Sequence, residues 1–217
     1  MKKKRFARRE DLGLSRAEFR ALSRLDSPEK IQRFLCAIPC NFEVGGETCL
    51  SVREVLTQRR AHCIEGAFVA ACALWIQGEP PLLFDLKAEK DYDHVVTLFR
   101  RGGCWGAISK TNPPVLRWRD PVYRNLRELA ISYFHEYANK RHHKTLRSYA
   151  GPFDLRNLDP SAWVTNGEHC WDIGEKLDAL RHTALVSRRQ LKWLMPRDLT
   201  ERRIAAVLQY RKARGTG

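Results

Sequence analysis

No stretch of the 217-residue chain holds the roughly 20 consecutive apolar residues that a membrane-spanning helix needs. Internal repeats and low-complexity tracts are lacking as well, which leaves no support for a repeat architecture. The basic start, Met1-Lys2-Lys3-Lys4-Arg5, runs into the polar Phe6-Ala7-Arg8-Arg9-Glu10-Asp11 rather than into the apolar segment of a secretory signal. Zinc-ligand spacing is missing too. Cys36, Cys40 and Cys49 have no matching Cys or His pair beyond them, so no metal and no cofactor are expected. With seven cysteines, an odd number, and no export signal, the reading is a protein of the reduced cytoplasm with its thiols free. Acidic residues are the minority, 25 against 39 basic ones, for a net charge of +14. That balance favours acidic partners. The basic residues are scattered without a recognition motif, so a nucleic-acid partner rests on charge alone. No membrane partner is expected, and the oligomeric state is left open.

What the chain does have is enough apolar sequence, 43% of residues, to bury a sizeable core. Its centre is the run from Cys63 to Ile76, small and apolar apart from Glu65 and closed by Gly78 and then Pro80-Pro81. Alanine, leucine and phenylalanine without an interior proline predict a helix, and one apolar on nearly every side belongs inside a domain. Before it, Ser15 with Glu18, Ser27 with Pro28, and Ser51 with Glu54 predict helix starts. After it the period changes to two. Strands are predicted over 82–87, 94–100 and 104–109, the last two joined at Gly102-Gly103.

Further on, Asp120-Pro121 is expected to start a long amphipathic helix through Phe134, and 148–160 to be a loop around Gly151-Pro152. The segments are then a basic N-terminal arm and helix (1–29, with 1–13 frayed), a core (30–137), and a basic, largely helical extension (138–217). The fold class is α+β, a buried helix packed on an antiparallel sheet with flanking helices.

A two-residue loop at Gly102-Gly103 makes paired residues sum to 205, so Val96 faces Ser109 and His94 faces Thr111. Ser109 then shares a face of the sheet with His94, on the diagonal at about 7–8 Å. A three-residue loop would put Lys110 there instead.

Cys63 opens the buried helix directly after Arg59-Arg60-Ala61-His62. A helix N-terminus and nearby cations both favour thiolate, the nucleophilic form. Thiol catalysis also needs a histidine to exchange the proton and a third group to fix the imidazole. The pieces Ala61-His62-Cys63-Ile64-Glu65-Gly66-Ala67, Asp93-His94-Val95-Val96 and Trp105-Gly106-Ala107-Ile108-Ser109 come in that order. In this the chain resembles the transglutaminase-like branch of the papain-like cysteine enzymes, over roughly residues 30–137. The resemblance implies an acyl-enzyme on Cys63, His94 as base and then acid, and a peptide or protein amide as substrate. The third family position, an aspartate, is Ser109 here, which brings no charge to an imidazolium. Two readings follow: a cysteine hydrolase or acyltransferase, and a catalytically weakened domain of the same fold that binds rather than turns over.

Other residues carry lesser expectations. Gln58 is a candidate oxyanion donor whose plainer reading is a solvated glutamine, and Asn112 or a carboxylate is a substitute for the missing aspartate. Asp93 should point away from His94. Glu65 and His62 flank the site, Glu65 as a buried structural partner. Cys72 and Cys104 read as packing residues, and His135, His142 and His143 as surface or boundary histidines.

Overall fold

In the computed structural model, which describes residues 5–211, the central apolar run is α5, Cys63–Ile76. Every position from Ile64 to Trp75 is buried, so the helix has no solvent face. Around it stand α1 (Arg9–Leu12), α2 (Arg16–Ser23), α3 (Pro28–Ala37) and α4 (Val52–Gln58). The expected caps hold: Ser15, Ser27 and Ser51 accept the backbone N–H groups of Glu18, Lys30 and Glu54. The N-terminal arm departs from expectation. From Ala7 to Leu14 it is docked on the end of α5, with Ala7 N–H donating to Trp75 O at 3.1 Å and Leu12 and Leu14 buried. Three apolar side chains in an otherwise polar stretch suffice to hold it.

The sheet has six strands: β1 (Leu82–Ala88), β2 (His94–Arg101), β3 (Cys104–Ile108), β4 (Arg119–Tyr123), β5 (Leu146–Asp154) and β6 (Thr183–Ala184). Their order is β4-β3-β2-β1-β5-β6, every neighbouring pair antiparallel. The β2–β3 register pairs Thr97 with Ile108 and Phe99 with Gly106, the sum of 205 that the two-residue turn requires. Gly102 and Gly103 both take positive φ, 55° and 82°, which side chains resist.

Alternation along the strands splits the core in two. Val95, Phe99 and Ile108 pack with α5, and the Thr97 hydroxyl donates to Ala67 O at 2.7 Å. Phe84, Leu86, Val96, Leu98 and Ala107 face the other way, onto α6 (Leu126–Ile131) and Tyr133. The architecture is a mixed α+β one, with helices on both faces of an antiparallel sheet. No helix among the described residues is long and apolar enough to cross a membrane.

Three expectations need correcting. The long helix from Asp120-Pro121 is absent: residues 119–123 form β4, and helix starts only at the Asn125 cap, which accepts Glu128 N–H at 2.9 Å. Proline is tolerated there because β4 lies at the sheet edge. The loop expected over 148–160 is largely β5, with Gly151-Pro152 set beside a register shift opposite Leu83 and Asp85. The extension expected to be largely helical contributes β5 beside β1 and places Trp163 against Phe68 and Trp75 of α5. Its helices are α7 (Trp171–Asp178), α8 (Arg188–Leu191) and α9 (Leu199–Ala205).

Candidate functional site

A cleft of about 290 Å³ opens where α5 begins and β2 begins, lined by Cys63, His62, His94, Cys40, Lys110 and Asn112 among others. Close packing of α5 on the end of β3 brings these elements together. The step is made at Gly66, where a Cβ would sit 2.4 Å from Lys110 Cβ. Any side chain there would push α5 off the strand that carries the opposite wall. Lys110 is itself buried and donates to Leu35 O at 2.9 Å and Ile38 O at 2.5 Å.

Cys63 occupies the first helical position and is partly exposed to the cleft, which a reacting thiol requires. Burial pushes its pKa up. Hydrogen bonding and charge from His62 and then His94 override that and hold the thiol down to about 5. The expected direction is therefore present, with a different cause. Arg59 lies over the Phe34 ring and Arg60 donates to Gln58, so the two arginines are engaged elsewhere. Gln58 is exposed, accepts from Arg60, and is not among the residues lining the cleft.

His62 is the residue that sequence reasoning undervalued. Its Nδ1 lies 3.8 Å from Cys63 Sγ, while Nε2 is 2.7 Å from Thr48 O and 3.2 Å from Glu65 Oε1. Glu65 is fully buried and accepts from the Thr48 hydroxyl, Asn41 Nδ2 and the backbone N–H groups of Leu50 and His62. So many donors keep it a carboxylate, well below the usual range despite burial. Burial alone would lower the pKa of His62; with a thiolate on one side and a carboxylate on the other, it is raised well above the ordinary histidine value. The spacing His62-Cys63-Ile64-Glu65 carried a signal. A glutamate three residues after a helix cap reaches back over the cap, here onto His62 N–H at 2.8 Å.

His94 starts β2 opposite Leu86, is 4% exposed, and meets the Tyr133 ring edge-on at 6.3 Å. Among the described residues its Nε2 is buried with no hydrogen-bond partner. Ser109 is fully buried one residue beyond β3, and its hydroxyl donates to Leu116 O at 2.9 Å. Gln32 of α3 holds the Ser109 backbone at both N–H and C=O. Asn112 and the carboxylates nearest His94 in sequence are committed as well. Asn112 pairs with Tyr210, Asp91 accepts from Thr145, and Asp93 turns to Ala88 N–H and Lys87.

The arrangement is a partly exposed thiol of lowered pKa that shares a cleft with two imidazoles at a helix N-terminus, one imidazole held by a buried carboxylate. Such a group can attack an electrophilic carbon at the positive end of a helix, where developing negative charge is favoured. Cys72, deeper in α5, has its pKa pushed far up by burial and belongs to the core. No protein-family model matches the chain, and no curated protein matches it in sequence.

Proposed function

We propose that the chain is a transglutaminase-like cysteine hydrolase or acyltransferase, acting on a peptide or protein amide through Cys63 and His94. The observation that carries the reading is the thiol of Cys63, held down to about 5 at the start of a buried helix and sharing a cleft with His94. In the proposed reaction Cys63 Sγ attacks the amide carbon and the carbonyl electron pair moves onto oxygen. The first N–H groups of α5, which a helix leaves without internal partners, face that charge. His94, which has taken the Cys63 proton, gives it to the leaving nitrogen as the oxyanion collapses, the C–N bond breaks, and a thioester remains. Water or an amine then attacks, gives its proton to His94, and releases the thiolate. His62 exchanges no proton here. Held as a cation by Glu65, it acts as a fixed charge that favours thiolate.

One observation favours the second reading, a weakened domain that binds an amide-bearing partner. The buried Nε2 of His94 has no partner among the described residues, and the Ser109 hydroxyl is spent on Leu116 O. An imidazole that lacks an orienting partner on one nitrogen is a poor proton exchanger. Rapid iodoacetamide labelling followed by intact-mass and peptide mapping separates the two. The enzyme reading expects Cys63 to label far ahead of Cys72 and Cys104. It also expects a thioester adduct with an activated acyl donor that forms and turns over, and whose turnover His94→Ala removes. An adduct that forms and never turns over supports the binding reading, and no selective labelling of Cys63 sinks both.

A further inference from the structure

Past α9 the chain turns back toward the cleft, and Gln209-Tyr210 lies along the outside of the wall that Lys110 and Asn112 present to Cys63. The contact is made mainly to main chain. Asn112 Oδ1 accepts Tyr210 N–H at 2.8 Å, and Asn112 Nδ2 donates to Tyr210 O at 2.9 Å. One amide side chain thus satisfies both backbone groups of a single residue, a pairing open to any peptide whatever its side chains. Gln209 N–H adds a third backbone bond to Asn112 O at 3.4 Å. The aromatic part of the specificity comes from the Tyr210 side chain. Its hydroxyl donates to Cys36 O at 2.6 Å, and its ring stands 4.9 Å from Lys110 Nζ. The Gln209 side chain adds to this, its Nε2 donating to Cys36 O at 2.9 Å and its Oε1 accepting from Arg117. The preceding Val207 and Leu208 are 57% and 48% exposed, so Gln209 and Tyr210 carry the attachment.

We infer that Asn112, Lys110 and the Cys36 carbonyl form a binding site for an extended peptide bearing a tyrosine-like residue, and that Gln209-Tyr210 fills it as an internal surrogate. Two of the three groups also line the cleft of Cys63, so a peptide seated there adjoins the cleft. That the bound peptide is substrate rests on the acyl-transfer reading; that a peptide binds does not.

The test uses the full chain. Tyr210→Ala vacates the aromatic position, and a fluorescein-labelled, C-amidated peptide of sequence Val-Leu-Gln-Tyr-Arg, that of residues 207–211, is titrated by anisotropy. Saturable binding to Tyr210→Ala is expected, at least about tenfold tighter than to the unaltered chain, whose own tail competes. Adding Asn112→Ala to Tyr210→Ala should abolish it. Thermal melting checks that each variant is folded, and Asn112→Asp, which keeps the acceptor and loses the donor, serves if Asn112→Ala is not. Absence of saturable binding to folded Tyr210→Ala, or binding that the Asn112 change leaves intact, overturns the inference. A second arm compares Cys63 alkylation by iodoacetamide with alkylation by a chloromethyl ketone of the same peptide. Tyr210→Ala should raise only the second rate, and equal effects on both would break the link between the site and the cleft. If Cys63 is inert to both reagents the acyl-transfer reading fails, while anisotropy still reports on the site.

Discussion

Cys63 Sγ and His62 Nδ1 lie 3.8 Å apart although the two residues are adjacent in sequence, because His62 is the extended cap and Cys63 the first helical residue. The change of backbone conformation between them turns the imidazole back across the helix end. There Glu65, one turn on, meets its far nitrogen.

His62→Ala should therefore move the Cys63 titration upward. Losing the cation and its hydrogen bond favours thiol, so the inflection in alkylation rate against pH should rise from about 5 by at least one unit, each unit being about 1.4 kcal/mol. Arg59→Ala and Arg60→Ala should leave it in place. An unmoved inflection in His62→Ala, or a moved one in the arginine variants, would contradict the assignment.

Glu65→Gln is expected to destabilise the fold by about 3 kcal/mol at neutral pH, since it leaves a half-buried imidazolium and several donors without their charge partner. The pH dependence follows from the direction of each shift. Glu65 has a folded pKa lowered to about 2, so its contribution is present above the unfolded value of about 4.3 and is lost as pH falls below that toward 2. His62 works in the opposite sense. Its folded pKa is raised, so its contribution is whole below about 6.5 and fades as pH rises through the folded value. Urea denaturation of both proteins across acid pH should show the gap closing as Glu65 protonates.

Gly66→Ala tests the packing that assembles the cleft. The added methyl would lie 2.4 Å from Lys110 Cβ, a contact both backbones must yield to relieve. A loss of about 1–3 kcal/mol is expected, with selective labelling of Cys63 falling in the protein that still folds. A stable variant with unchanged Cys63 labelling would show that the helix can retreat without cost to the site.

Ser109→Ala should cost about 1 kcal/mol through the lost bond to Leu116 O and leave the Cys63 titration where it is. If labelling of Cys63 is abolished while circular dichroism and melting stay native-like, the hydroxyl serves His94 after all.

Much of the site's scaffold was legible. The all-round apolar run gave α5, and the change of period gave β1, β2 and β3. Gly102-Gly103 gave their register to the residue, because a two-residue turn leaves no freedom in it. Other elements were hidden for physical reasons. β5 contains Gly151-Pro152, which reads as a break when only local propensity is weighed; a long pairing with β1 absorbs it as an irregularity. The apolar spacing from Tyr123 to Phe134 mimics a helix, but Tyr123 pairs with Trp105 and only six residues remain helical. The cause of the low thiol pKa was misplaced because sequence proximity put Arg59 and Arg60 near Cys63. Arg59 takes a left-handed φ of 56° that ends α4, and both side chains engage neighbours outside the cleft.

The position of β5 carries a consequence for how the chain is made. Leu86 of β1 pairs with His94 on one side, within a short hairpin, and with Tyr149 on the other. During synthesis α5 and the β1–β2–β3 meander emerge first, with one edge of β1 still unpaired. Leu83, Phe84 and Leu86 would stand at that edge beside open backbone groups, a template for another chain. Closing it needs a strand from far along the sequence, a slow, non-local step in which growing chains are prone to associate. A truncation after Tyr137 would keep Cys63 and His94 but make this exposure permanent, and such a fragment should collect in aggregates rather than report on the chemistry of the cleft.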